Sequence, residues 1–342
     1  MQSAASRASC SRVSVCLHLV PALMAVGYPW YLAMFYRLHS TKHIAEALLT
    51  LALVFAVPGG AFASLYALGR TETLRFEGVV LRRLTYVTFV SPSLFVILGV
   101  FLYLMKVNGK DGQVWVGLWL AALCGTSLTI LGHRGEVLPV RSHEHMRPVR
   151  VMHGIAALVI LLVFLVAHLV NHTFGVIGAE AHREVMLILR IIYRSPFVEP
   201  VLLTLFFFQI VSGLVLAESR MGSRQGILDV LQTASGAYLA VFIASHLNAV
   251  FVLARYFGTE TDYAWATALP DGMLADPWDV RLIPHYALGV WLLFAHIACG
   301  LRMVLLAHRV EKRKADAVCW ALVLASTLWS AVIIAGAVGA RV

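Results

Sequence analysis

Apolar and polar residues in this chain alternate on the scale of whole helices. Apolar runs, each near the roughly 20 residues needed to cross a hydrocarbon layer, lie at about 14–36, 43–68, 85–105, 114–132, 150–172, 198–217, 235–254, 283–306 and 318–339. They predict an all-α fold, a polytopic membrane helical bundle of about nine transmembrane helices. Between the fourth and fifth runs, residues 133–149 are rich in His and Arg and contain Pro139 and Pro148, the composition of a cytoplasmic connection. This divides the chain into residues 1–132, a four-helix membrane region to which the sequence assigns no role, the connection at 133–149, and a five-helix bundle at 150–340. In the stretch from Thr173 to Phe197, charged Glu180, Arg183, Glu184, Arg190 and Arg194 interleave with Val185, Leu187, Ile188 and Ile191, predicting an amphipathic helix lying in the interface. The stretch from Tyr256 to Leu282 carries Trp265, Trp278, Pro270 and Pro277 and reads as a structured cap with aromatic anchors.

Composition agrees with the pattern. Hydrophobic residues make up 60% of the chain and charged residues 13%, with a mean hydropathy of +0.81, which excludes a single water-soluble core. On alternate connections, beginning with the amino terminus, fall 16 of the Lys and Arg residues; the opposite set carries 10, and Arg302 lies inside a helix. Positive residues favour the cytoplasmic side, so the amino terminus is expected to be cytoplasmic and the carboxyl terminus periplasmic, in a bacterial inner membrane. The formal charge of +9 is then a consequence of topology, with lipid as the partner and no nucleic acid. The apolar run after Met1 to Arg12 is too long for a cleaved signal and is expected to be retained as the first span. Cys10, Cys16, Cys124, Cys299 and Cys319 have no paired spacing and read as small apolar residues.

Chemistry is concentrated in the histidines of the second half: His153, His168, His172, His246, His285 and His296. Ionisable groups in a membrane are costly without a partner and mark functional sites, and imidazole is a common axial ligand of haem iron. His168 and His172 are one helical turn apart, while His285 and His296 return to nearly the same face after eleven residues. Gly154 and Gly289 share the faces of His168 and His296, where a flat macrocycle needs room. By depth, His168 and His246 are placed to share one iron, and His153, at the opposite end of its helix, is better suited to a quinone or headgroup contact.

The run from His153-Gly154 to Leu-Val-Phe-Leu-Val-Ala-His168-Leu, preceded by basic residues, resembles the first helix of the cytochrome b membrane-anchor subunit of succinate dehydrogenase and fumarate reductase. Ala234-Ser235-Gly236-Ala237-Tyr238 leading to Ser245-His246-Leu247 is similar to the third helix of that family, and Leu293-Phe294-Ala295-His296 followed by Gly300-Leu301-Arg302 to the fourth. The likeness covers residues 148–340 only, and its motifs are short.

The resemblance implies haem b as cofactor, with His168 and His246 as axial ligands and metal-binding residues, and quinone as substrate. His296 corresponds to a ligand of a second haem, but Gln209 stands where its partner histidine is expected, so one haem is the expectation. Arg190 and Arg194 are expected at haem propionates, and His153 with Arg150 at a quinone site. Flavoprotein and iron–sulfur subunits on the cytoplasmic side are the implied partners. The expected function is electron transfer between a membrane quinone and a redox partner, as a subunit of a quinone-linked oxidoreductase. The competing readings are a haem-free transporter or channel, with the same histidines and Asn171, Asn248 and Gln209 lining a polar path, and a membrane sensor or assembly component that keeps the fold without the cofactor.

Overall fold

A computed structural model describes residues 12–70, 75–133, 136 and 144–342, with no side chain given for 12–15 and 144. Most of the 133–149 connection, along with Cys10, lies outside the described residues. The described residues are helical and contain no strand. The first half comprises α1 (Arg12–Val26), α2 (Tyr28–Ser40), α3 (Ile44–Gly69), α4 (Phe76–Phe89), α5 (Ser91–Leu104) and α6 (Asp111–Gly132). The second half comprises α7 (Arg147–Ile160), α8 (Val166–Thr173), α9 (Ala179–Tyr193), α10 (Val198–Ser219), α11 (Ile227–Asn248), the single turn α12 (Tyr263–Ala266), α13 (Leu282–Ala307) and α14 (Lys312–Ala337).

Among the described residues, seven helical stretches are long and apolar enough to cross a membrane, and nine if each of two bent pairs forms one span. Large apolar side chains cover the outside, among them Leu162, Phe197 and Leu324. On a water-soluble monomer such a surface would drive association; here it marks an integral membrane protein with lipid as its solvent. The bent pairs are α1 with α2, at 51°, and α4 with α5, at 65°. In each pair a proline, Pro29 or Pro92, opens the second helix. A proline there has no N–H to donate back along the chain and clashes with a continued helix. The third span therefore starts at Phe76, earlier than the run at 85–105, and draws Arg82 into the protein. Arg82 is buried, and its guanidinium donates to the carbonyls of Met221 at 2.6 Å and Ser223 at 2.7 Å and to that of Leu68.

The two halves share a core. Helix α5 packs on α11 and α13, and α3 and α4 pack on α11. Phe89, Tyr238, Leu292 and Ala295 meet in this core, while a second cluster around Tyr28, Phe95, Trp115 and Val280 fills the first half and the start of α13. Helix α9 occupies the stretch where the amphipathic helix is expected, with Ile188 and Ile191 exposed. Cys299 and Cys319 are buried where α13 meets α14, with 3.8 Å between their sulfurs and no disulfide.

Candidate functional site

The helices that carry His168 and His246 both depart from regular α geometry beside those residues. Helix α7 passes into α8 through a turn of π-helix at Leu161–Leu165, three residues before His168. Helix α11 runs on as π-helix at Ala249–Tyr256, three residues after His246. Such i→i+5 turns are rare and recur at functional positions because they re-aim side chains without ending the helix. The His168 and His246 rings face one another with centroids 5.9 Å apart and planes inclined by 66°. Phe164 stacks on the other side of His168 at 4.7 Å.

A polar chain leads away from this pair. The His172 Nε2 is 3.3 Å from the His168 Nε2, and the His172 ring is 5.0 Å from that of His182 on α9. The Asn171 amide donates to the His182 Nε2 at 3.3 Å, and the His182 ring lies 4.5 Å from Tyr263. Because Nε2 accepts, the proton of neutral His182 sits on Nδ1. That atom, the Asn171 Oδ1 and the Tyr263 hydroxyl are buried without a protein partner. Burial pushes the His182 imidazole down to about 4.

At the other end of the bundle, toward the more basic connections, His153 on α7 and His296 on α13 face each other with centroids 6.4 Å apart and planes at 81°. Their Nδ1 atoms are held by serines: Ser212 of α10 at 2.8 Å from His153, Ser235 of α11 at 3.0 Å from His296. Glycines flank both rings. A Cβ on Gly213 would sit 3.4 Å from the His153 Cε1, and one on Gly236 would sit 3.0 Å from the His296 Cε1.

The other residues expected from the sequence fall in different places. Gln209 does not face His296; its amide donates to the His153 carbonyl at 2.7 Å and ties α10 to α7. Gly154 has open space around its Cα, whereas Gly289 makes room for Phe242, whose ring a Cβ there would strike at 2.2 Å. His285, on the helix of His296, is turned to the first half and pairs with Ser93 at 3.0 Å. Arg190 is half-buried and donates to the Thr261 carbonyl at 3.4 Å, while Arg194 is exposed. Arg150 is exposed and lines a cavity of about 230 Å³ with Arg220, Arg224, Ser219 and Gln225 at the basic end. The facing of His153 and His296 was missed by sequence reasoning, which compared His153 with His168 on its own helix.

Among the described residues, no group of three or more His, Cys, Asp or Glu side chains is placed to hold a metal ion. A bare transition ion takes about four protein ligands, so two facing imidazoles suit a metal that arrives with its own equatorial donors, as haem does. With metal–nitrogen bonds of about 2 Å, two axial imidazoles have ring centroids about 6 Å apart. The 5.9 Å of His168 and His246 is of that size, and iron bound at the His168 Nε2 would take the place of its 3.3 Å contact with the His172 Nε2.

Comparison with family models, with curated proteins and with solved structures found no match to this chain.

Proposed function

We propose that this integral membrane protein is a b-type cytochrome that carries electrons between a membrane quinone and a redox partner. The observation that carries the proposal is the facing pair His168 and His246, contributed by two helices of the second half at a spacing suited to one haem iron, with His168 half-buried and His246 exposed on the side where a macrocycle would lie. Bound there, haem b supplies the one-electron chemistry. The chain would hold the two imidazoles and closes one side of His168 with Phe164. On this reading Arg190 and Arg194 on α9 are available to propionates. Arg150 and the cavity beside it are the quinone contact at the basic end. The same end, cytoplasmic by its Lys and Arg excess, is where flavoprotein and iron–sulfur subunits would dock.

One observation favours a second reading, a haem-free transporter or channel. The first half contains two broken spans, and each break buries an unpartnered hydroxyl, Tyr28 and the Ser91 Oγ. Interrupted helices of this kind bind solutes in many transporters. The test is to add a quinol to the haem-loaded protein in liposomes and follow the haem absorption. Reduction on the time scale of mixing supports electron transfer; haem that stays oxidised with quinol, yet reduces with dithionite, contradicts it.

A further inference from the structure

The sequence leaves His296 without a partner, because Gln209 occupies the expected place on α10. The structure supplies another partner on a different helix. His153 of α7 faces His296 of α13 at 6.4 Å between ring centroids, close to the 5.9 Å of the pair at the other end.

Hydrogen bonding fixes the tautomer of both rings. The Ser212 hydroxyl donates to the Phe208 carbonyl at 2.5 Å, so toward His153 its oxygen accepts, and the His153 proton is on Nδ1. The Ser235 hydroxyl donates to the Gln232 carbonyl at 3.0 Å. Its oxygen therefore accepts from the His296 Nδ1, 3.0 Å away, and the Gln232 carbonyl accepts from the same atom at 3.1 Å. Each ring thus has its Nδ1–H engaged and its Nε2 lone pair free for a metal. An N–H held by a neighbouring oxygen is the second layer that orients metal-ligating histidines and raises their basicity. Gly213 and Gly236 keep side chains away from the ring edges. No third His, Cys, Asp or Glu completes a site for a bare ion among the described residues.

We infer that His153 and His296 are the axial ligands of a second haem, ligated by the first and fourth helices of the five-helix bundle, with Ser212 and Ser235 as positioning residues. The inference rests on the cytochrome reading above and extends it. His153 and His168 are fifteen residues apart on one nearly continuous helix, about 22 Å of rise, so the two haems would stand toward opposite faces of the membrane and form a relay across it. In this relay an electron leaves one ferrous centre and reduces the other from ferric to ferrous, and no proton or bond is exchanged between them. Gln209 then has a structural task, holding α10, and hence Ser212, against the His153 turn.

The test is the haem content of the purified full chain, produced with ample haem and measured as the pyridine complex against protein mass, with bare metals assayed alongside. About two haems per chain are expected for a pair of bis-histidine sites. His153→Ala and His296→Ala should each lose half, and the half that remains reports that the variant is folded. His168→Ala and His246→Ala should lose the other half. Ser212→Ala and Ser235→Ala should keep both haems and move only one of two midpoint potentials upward, because a less basic imidazole stabilises ferric iron less. One haem per chain that survives His153→Ala and His296→Ala overturns this inference and leaves the cytochrome reading standing. A bare metal held by these two histidines in place of haem also overturns it. No haem at all overturns the cytochrome reading itself.

Discussion

Gln209 and His182 show how single side chains acquire meaning only once their neighbours are placed. In the sequence, Gln209 is a polar residue at the position of a missing ligand; in the structure its amide donates to the His153 carbonyl at 2.7 Å. His182, by contrast, is one polar residue among several in an amphipathic stretch. It proves buried, with Asn171 donating to its Nε2 and its imidazole pushed down to about 4 by burial. That shift has a direction in pH. Undocked α9 binds a proton on His182 near pH 6.5, and docked α9 only near 4, so docking is fully stable above about pH 6.5 and weakens as pH falls through this window. Amide hydrogen exchange over residues 179–193, corrected for intrinsic rates, should quicken between pH 7 and pH 5 in the wild type. In His182→Asn the pH dependence should be absent. Equal corrected rates at both pH values would show that His182 does not control the docking of α9.

At the scale of elements, sequence pattern located the spans and missed their breaks. The first and third apolar runs read as continuous, although Pro29 and Pro92 open α2 and α5 after bends of 51° and 65°. Hydropathy cannot distinguish a proline tolerated in a membrane helix from one that ends it, since lipid and neighbouring helices satisfy the freed groups in different ways. The π-helical turns before His168 and after His246 left no mark on composition either. Arg302 was legible as a charge inside a span, but not its role. Its Nε donates to Asp316 of α14 at 2.5 Å and its Nη1 to Asp229 of α11 at 3.3 Å, so one guanidinium joins three helices. Hydrogen bonds to charged groups contribute about 1.5–3 kcal/mol each, at the lower end where partners are partly exposed. Both aspartates keep about a third of their side-chain surface exposed. Arg302→Gln should therefore lower stability by about 3 kcal/mol in total, read as a lower unfolding temperature in detergent. An unchanged unfolding temperature would mean the three-helix tie contributes nothing.

For the whole molecule, the all-helical membrane architecture was legible because twenty-residue apolar runs leave few alternatives, and the pairing of the histidines was only half legible. Helical arithmetic compares residues on one helix, and it joined His168 with His246 by depth alone. Which helices are neighbours follows from the tertiary packing, and that packing sets His153 against His296. The relation of the two halves was hidden for the same reason. His285 meets Ser93 at 3.0 Å, and Arg281, just before α13, pairs with Asp111 at the start of α6 at 2.7 Å. The Arg281 guanidinium also lies 4.5 Å from the Phe95 ring and 4.6 Å from that of Trp278. Helices of the first half are thus packed against α11 and α13, which carry His246, His285 and His296. The proposed haem site depends on this packing, because α11 carries His246. The most direct measurement is a reduced-minus-oxidised absorption spectrum of the purified full chain, produced with ample haem, with His168→Ala and His246→Ala beside it. A b-type band is expected in the wild type and should be diminished by each substitution; a wild-type protein that folds, inserts and shows no haem band would contradict the proposed haem site.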